Sequence, residues 1–220
     1  MVHRNYFTSA IVITMQKPED STLINICVIP NAQMSRAYVS MSQSLKSDQT
    51  MFALGDGKFA HMTVYMARFA NDNIAKVVSN IEEALKQVVP FPCIHTGYFM
   101  TEGRYLEASY RKSSDFIQLH ELLISHTARL RLNPGHPFEE GYFTPYTFEQ
   151  KKNVEETGYD LARSLYRPHV SFTRYKEHGV PKYFPAFPEV DLSFELSKIC
   201  IYKADDNGAA YELIKEFQIR

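Results

Sequence analysis

Over 220 residues, 45% hydrophobic and 22% charged is the mix of a folded chain with a sizeable apolar core, and no run is apolar enough to cross a bilayer. A net charge of −1 with dispersed basic residues excludes the broad positive field that holds long duplex nucleic acid, and favours a small ligand or the end of a chain. Cys27, Cys93 and Cys200 lie far apart with no CxxC or Cys/His metal spacing, so they read as buried free thiols, which points to the cytoplasm.

Along the chain, the apolar run Ser9 to Met15 meets Lys17-Pro18-Glu19-Asp20 at once and has no small-residue cleavage site, so it reads as a strand rather than a signal peptide. Leu23 to Pro30 ("LINICVIP") has the length of a buried strand. "AQMSRAYVSMSQSLKS" follows as a helix, and Gly55-Asp56-Gly57 as a turn. Next comes "FAHMTVYMARF", residues 59 to 69, and then a helix capped by Asn71 or Asp72. Its Ile74, Val77, Val78, Ile81, Leu85 and Val88 share one face until Pro90 and Pro92 end it.

Two strands are predicted around Cys93 to Met100 and Tyr105 to Arg111, with Thr101-Glu102-Gly103 as the turn. Ser113 or Ser114 caps a helix in which Phe116, Leu119, Leu122, Leu123 and Leu130 recur at helical spacing. Residues 133 to 149 read as a long ordered loop, and Val154 to Leu165 as a shorter helix leading into "RPHVSFTRY", residues 167 to 175. The Asn207-Gly208 dipeptide between "FELSKICIYK" and "AAYELIKEF" predicts a type I′ hairpin. A change of parity between Phe194/Leu196 and Ile199/Ile201 predicts a bulge there. The first half thus runs strand, helix, His-strand, helix, and the second runs two strands, helix, His-strand, hairpin.

Side chains alternate along a strand, so a two-residue period puts His61, Thr63 and Tyr65 on one face and Met62, Val64 and Met66 on the other. The same period groups His169, Ser171 and Thr173 opposite Val170 and Phe172. Chance alone gives about one His-x-Ser/Thr in such a chain, so the weight rests on context. Both matches lie in apolar alternating stretches, in corresponding halves, with imidazole and hydroxyl on a single face.

Two such pairs are what metal-free cleavage of a phosphodiester needs. One imidazole removes a proton from the attacking oxygen and the other gives one to the departing alkoxide, both protonation states being available near neutrality. The hydroxyls donate to the non-bridging phosphoryl oxygens.

"HMTV" and "PHVSF", the second on an Arg-Pro approach and followed by Arg174, resemble the two His-x-Thr/Ser-x signatures of the 2H phosphoesterase superfamily. This group includes bacterial 2′-5′ RNA ligase-like proteins and cyclic nucleotide phosphodiesterases. The similarity runs over most of the chain. It implies one two-lobed domain over residues 1 to 220, of α+β class, with pseudo-symmetric antiparallel sheets and flanking helices around a central cleft. It also implies His61 and His169 as the catalytic pair, Thr63 and Ser171 as the phosphate-holding hydroxyls, and no cofactor or metal. The implied partner is a small nucleotide or an RNA end bearing a 2′,3′-cyclic phosphate. The second motif has Ser171 where many members have Thr, which preserves the hydroxyl.

Around this pair, Tyr65 is a candidate for stacking on a base and Arg174 for contacting phosphate, although a strict period turns Arg174 away from His169. His120 and His126, six apart on a predicted helix, have the wrong spacing for one metal and read as helix surface or core edge. A module that binds nucleotides or RNA ends without turnover is the rival from another class, and RNA end joining would use the same residues.

Overall fold

A computed structural model describes residues 20–132, 146–176, 179, 190–205 and 208–220. The predicted strand at Ser9 to Met15 lies outside them. β1 (Ser21–Val28) forms the centre of the largest sheet because nearly all its side chains are buried, as in a strand covered on both faces. It pairs antiparallel with β2 (Met62–Ala70) on one side and β8 (Lys198–Ala204) on the other, and β9 (Ala210–Gln218) completes the order β2-β1-β8-β9. A second sheet has the order β4 (His95–Met100), β5 (Tyr105–Tyr110), β6 (His169–Arg174), again antiparallel. β3 (Phe91–Cys93) pairs with β7 (Phe194–Leu196) in a short third sheet.

Among the described residues four α-helices flank the sheets, three of them started by a side-chain cap. Asn31, after Pro30, accepts from Met34 N at 3.0 Å to start α1 (Ala32–Ser44), and Ser113 accepts from Phe116 N at 3.3 Å to start α3 (Ser114–Thr127). α2 (Ile74–Leu85) buries Val77, Ile81, Ala84 and Leu85 on one face. It follows a 3-10 turn at Asn71–Asn73 and has no side-chain cap; the Asn71 side chain instead accepts from Thr22 Oγ1. α4 (Phe148–Thr157) starts on a full capping box between Thr147 and Gln150. It ends at Gly158, whose φ of +82° and 2.8 Å clearance to Arg131 Cδ leave no room for a Cβ.

The structure redraws three predicted elements. The end of the expected 133–149 loop is the start of α4, and residues 133–145 lie outside the described part. The helix expected over Val154 to Leu165 is instead the end of α4 followed by a 3-10 turn at Arg163–Leu165. The change of parity after Leu196 is not a bulge: β7 and β8 lie in different sheets, and the chain crosses between them at Ser197. The β8–β9 hairpin forms, but Asp205 N bonds to Ala209 O across three residues rather than the two of a type I′ turn; Asp206 and Asn207 lie outside the described residues. All three cysteines are buried and free.

β2 and β6 are each at the end of their sheet, and they contact one another. The connections interlace the two halves. α1, which lies between β1 and β2 in sequence, packs on β6, and α3, between β5 and β6, packs on β2.

Candidate active site

His61 stands immediately before β2 and His169 opens β6, so both begin the facing edge strands. Each ring is tied to its own strand. His61 Nδ1 lies 3.1 Å from the carbonyl of Phe59, and His169 Nδ1 lies 2.8 Å from that of Arg167. A carbonyl only accepts, so the hydrogen sits on Nδ1 and Nε2 is left for chemistry. The rings are close enough to feel each other's charge. Burial pushes the His61 imidazole below its usual pKa, the neighbouring His169 and Lys58 add to this, and the Phe59 carbonyl and Asp205 oppose it. Phe59 walls the ring at 5.5 Å between centroids and packs on Tyr202 at 4.8 Å.

Thr63 and Ser171 both lie two residues past a histidine and are half-buried on its side. Thr63 Oγ1 accepts a hydrogen bond of 3.0 Å from Asn25 Nδ2, which also donates to Gly208 O at 3.1 Å. With its lone pair engaged, the Thr63 hydroxyl is set to donate its own proton outward. Ser171 is directly opposite Glu107 on β5, and His169 is opposite Ser109.

Both motif strands carry a bulge at the third residue after the histidine. Thr63 and Tyr65 pair with the consecutive Cys27 and Ile26, so Val64 is extra; Ser171 and Thr173 pair with the consecutive Glu107 and Leu106, so Phe172 is extra. Each extra residue has its carbonyl held by a buried helix side chain. His120 Nδ1 of α3 meets Val64 O at 2.6 Å, and Ser42 Oγ of α1 donates to Phe172 O at 2.6 Å. His120 Nε2 then accepts from Arg163 N at 2.9 Å, and its ring stacks on Tyr166 at 4.1 Å. It is a core residue, satisfied at both nitrogens.

The bulges correct the alternation beyond Thr63 and Ser171. Tyr65 is fully buried, and its hydroxyl donates to the Thr157 carbonyl at the end of α4, so the structure does not bring it to His61. Thr173 turns into the interior and donates to Phe52 O. Arg174 moves the other way: it pairs opposite Tyr105, which shares a face of β5 with Glu107, and so joins the side of Ser171 and His169. Its guanidinium lies 4.7 Å over the Tyr105 ring and its Nε donates to Gly103 O at 3.1 Å.

Two residues at the site had not been singled out from sequence. Asn25 is the polar break in "LINICV", and Glu107 the charged break in "YLEASY". Glu107 is 3% exposed, has Oε1 3.5 Å from His169 Nε2, and gives Oε2 to Arg167. Among the described residues no group of three His, Cys, Asp or Glu side chains could hold a metal ion, and no helix is long and apolar enough to cross a membrane.

No protein-family model matches the sequence, and no curated protein does. Solved structures do. Apo E. coli LigT aligns over 91% of this chain and 99% of its own, with a TM-score of 0.56 and 13% identity. E. coli LigT complexed with NADP+ aligns over 90% and 98%, at 0.60 and 13%, and LigT has also been solved with 3′-AMP and with ATP. TT0787 of Thermus thermophilus aligns over 90% and 98%, at 0.57 and 15%. The shared arrangement of helices and antiparallel sheets over nine-tenths of the chain gives this protein a LigT-like α+β fold.

Proposed function

We propose that the chain is a metal-independent phosphoesterase that cleaves a cyclic or 2′-5′/3′-5′ phosphodiester of a nucleotide or an RNA end, with His61 and His169 as acid-base pair. The observation that carries this is the matched tethering of two neighbouring imidazoles, each with Nδ1 on the carbonyl two residues back and Nε2 outside that tether, the Nε2 of His169 lying 3.5 Å from Glu107 Oε1. Nucleotide complexes of E. coli LigT support the substrate class.

In hydrolysis of a 2′,3′-cyclic phosphate, water attacks phosphorus and passes a proton to Nε2 of His61, whose depressed pKa keeps it neutral near pH 7. The new P–O bond forms as the ring P–O bond opposite it breaks. His169 delivers a proton from Nε2 to the departing ribose oxygen, giving a phosphomonoester. Thr63 and Ser171 donate to the non-bridging oxygens as their charge grows, and Arg174 adds a positive charge on the same side. Proton exchange with solvent returns both rings to their starting forms.

A screen of 2′,3′-cyclic and 2′-5′-linked nucleotides in EDTA tests this with the wild type, His61→Ala and His169→Ala. Turnover in the wild type and a fall of about 10²–10⁴-fold in kcat/KM in each variant are expected. Activity that survives both substitutions, or that EDTA abolishes, rejects the reading.

A further inference from the structure

Glu107 takes no part in the proton transfers above, yet it is a buried carboxylate at the reacting face. It sits opposite Ser171 in register and 3.5 Å from His169 Nε2. A phosphoryl oxygen within hydrogen-bond reach of that nitrogen is then within about 7 Å of the carboxylate. Lys58 lies 3.9 Å from Asp205, Arg167 offsets part of the Glu107 charge, and Arg174 stands on the same face, so Glu107 is the group that limits an otherwise positive site. Hydrolysis of a phosphodiester raises the phosphate from one negative charge to nearly two at neutral pH, because the second ionisation of a monoester lies near pH 6.

We propose that Glu107 sets the charge selectivity of the site, admitting a singly charged phosphodiester and repelling the doubly charged monoester. This rests on the phosphodiesterase reading. At such a separation in a partly buried site, each phosphate charge facing the carboxylate weakens binding roughly ten- to a hundredfold. A diester bears this once and its product bears it twice, so the product leaves. The site thereby favours diesters over the abundant nucleoside monophosphates and over inorganic phosphate.

Titration calorimetry at pH 7.5 tests this with a matched pair that differs by one charge: 2′-deoxyadenosine 3′-monophosphate and its methyl diester, which has no 2′-hydroxyl to cyclise. The wild type is expected to bind the diester at least as tightly as the monoester. Glu107→Gln, which keeps an acceptor for Arg167, is expected to tighten the monoester roughly tenfold more than the diester. Equal tightening of both probes, or none, overturns the proposal. So does a wild type that prefers the monoester tenfold, a comparison that stands even where the variant fails to fold. These outcomes leave the hydrolytic reading intact, since that is decided by turnover. Absence of saturable binding by either probe removes the phosphate site and both readings with it.

Discussion

Asn25 is a fully buried amide in an otherwise aliphatic strand, and its two donor contacts link Thr63 of β2 to Gly208 beyond β8. Its value to the site is one of polarity: an amide nitrogen can only donate, so the Thr63 proton is left for another acceptor, as the proposed phosphate contact requires. Asn25→Asp puts an acceptor in the same place and turns that proton inward. Steady-state kinetics are expected to show a loss of roughly tenfold to a hundredfold in kcat for Asn25→Asp, and a smaller loss for Asn25→Leu. Equal activity of all three proteins would mean that the hydroxyl is not oriented this way. Residues of this kind are only half legible in a sequence. The histidines and hydroxyls are visible because they repeat at a fixed spacing, whereas Asn25 and Glu107 appear merely as polar breaks in apolar runs until register sets them beside the motifs.

At the level of elements, the bulges at Val64 and Phe172 decide which side chains follow the face of the two histidines and which leave it. A one-residue insertion reverses every later side chain, which is why strict alternation assigned Tyr65 to the site and Arg174 away from it. The residues that fix the bulges come from distant helices, and no local pattern reveals them. His120 is the more informative of the two. Burial pushes its pKa down to about 4, with Lys112 and Arg163 adding and the Val64 carbonyl opposing. The unfolded chain takes up a proton at this ring as pH falls through about 6.5, and the folded chain refuses it until about pH 4, so stability is present above that window and lost within it. The full loss is about 3 kcal/mol at this residue. Urea unfolding of the wild type and His120→Asn at pH 7 and pH 4.5 should therefore converge at the lower pH. The variant starts about 2–4 kcal/mol less stable, having lost the acceptor for Arg163 N and the stacking on Tyr166. Parallel pH dependences would show that the imidazole is not held neutral.

For the whole molecule, order along the chain and order in space differ. β8 and β9, from the far end of the chain, complete the sheet of β1 and β2, and each half lends a helix to the motif strand of the other. The α+β class and most elements follow from periodicity and turn chemistry, but the move from β7 to β8 between sheets depends on pairing partners more than a hundred residues away. A single hydrophobic cluster runs through the three sheets and α1, α2 and α3, with Val154 of α4 packed against it. Calorimetry is expected to give one transition with matching calorimetric and van't Hoff enthalpies, and two resolved transitions would refute this interlocking.

The carbonyl that secures each histidine belongs to the same stretch of chain as the ring it secures, two residues upstream. Aim is thus inherited from the main chain and not borrowed from neighbouring side chains. Side chains around the two rings can therefore change without turning either imidazole aside.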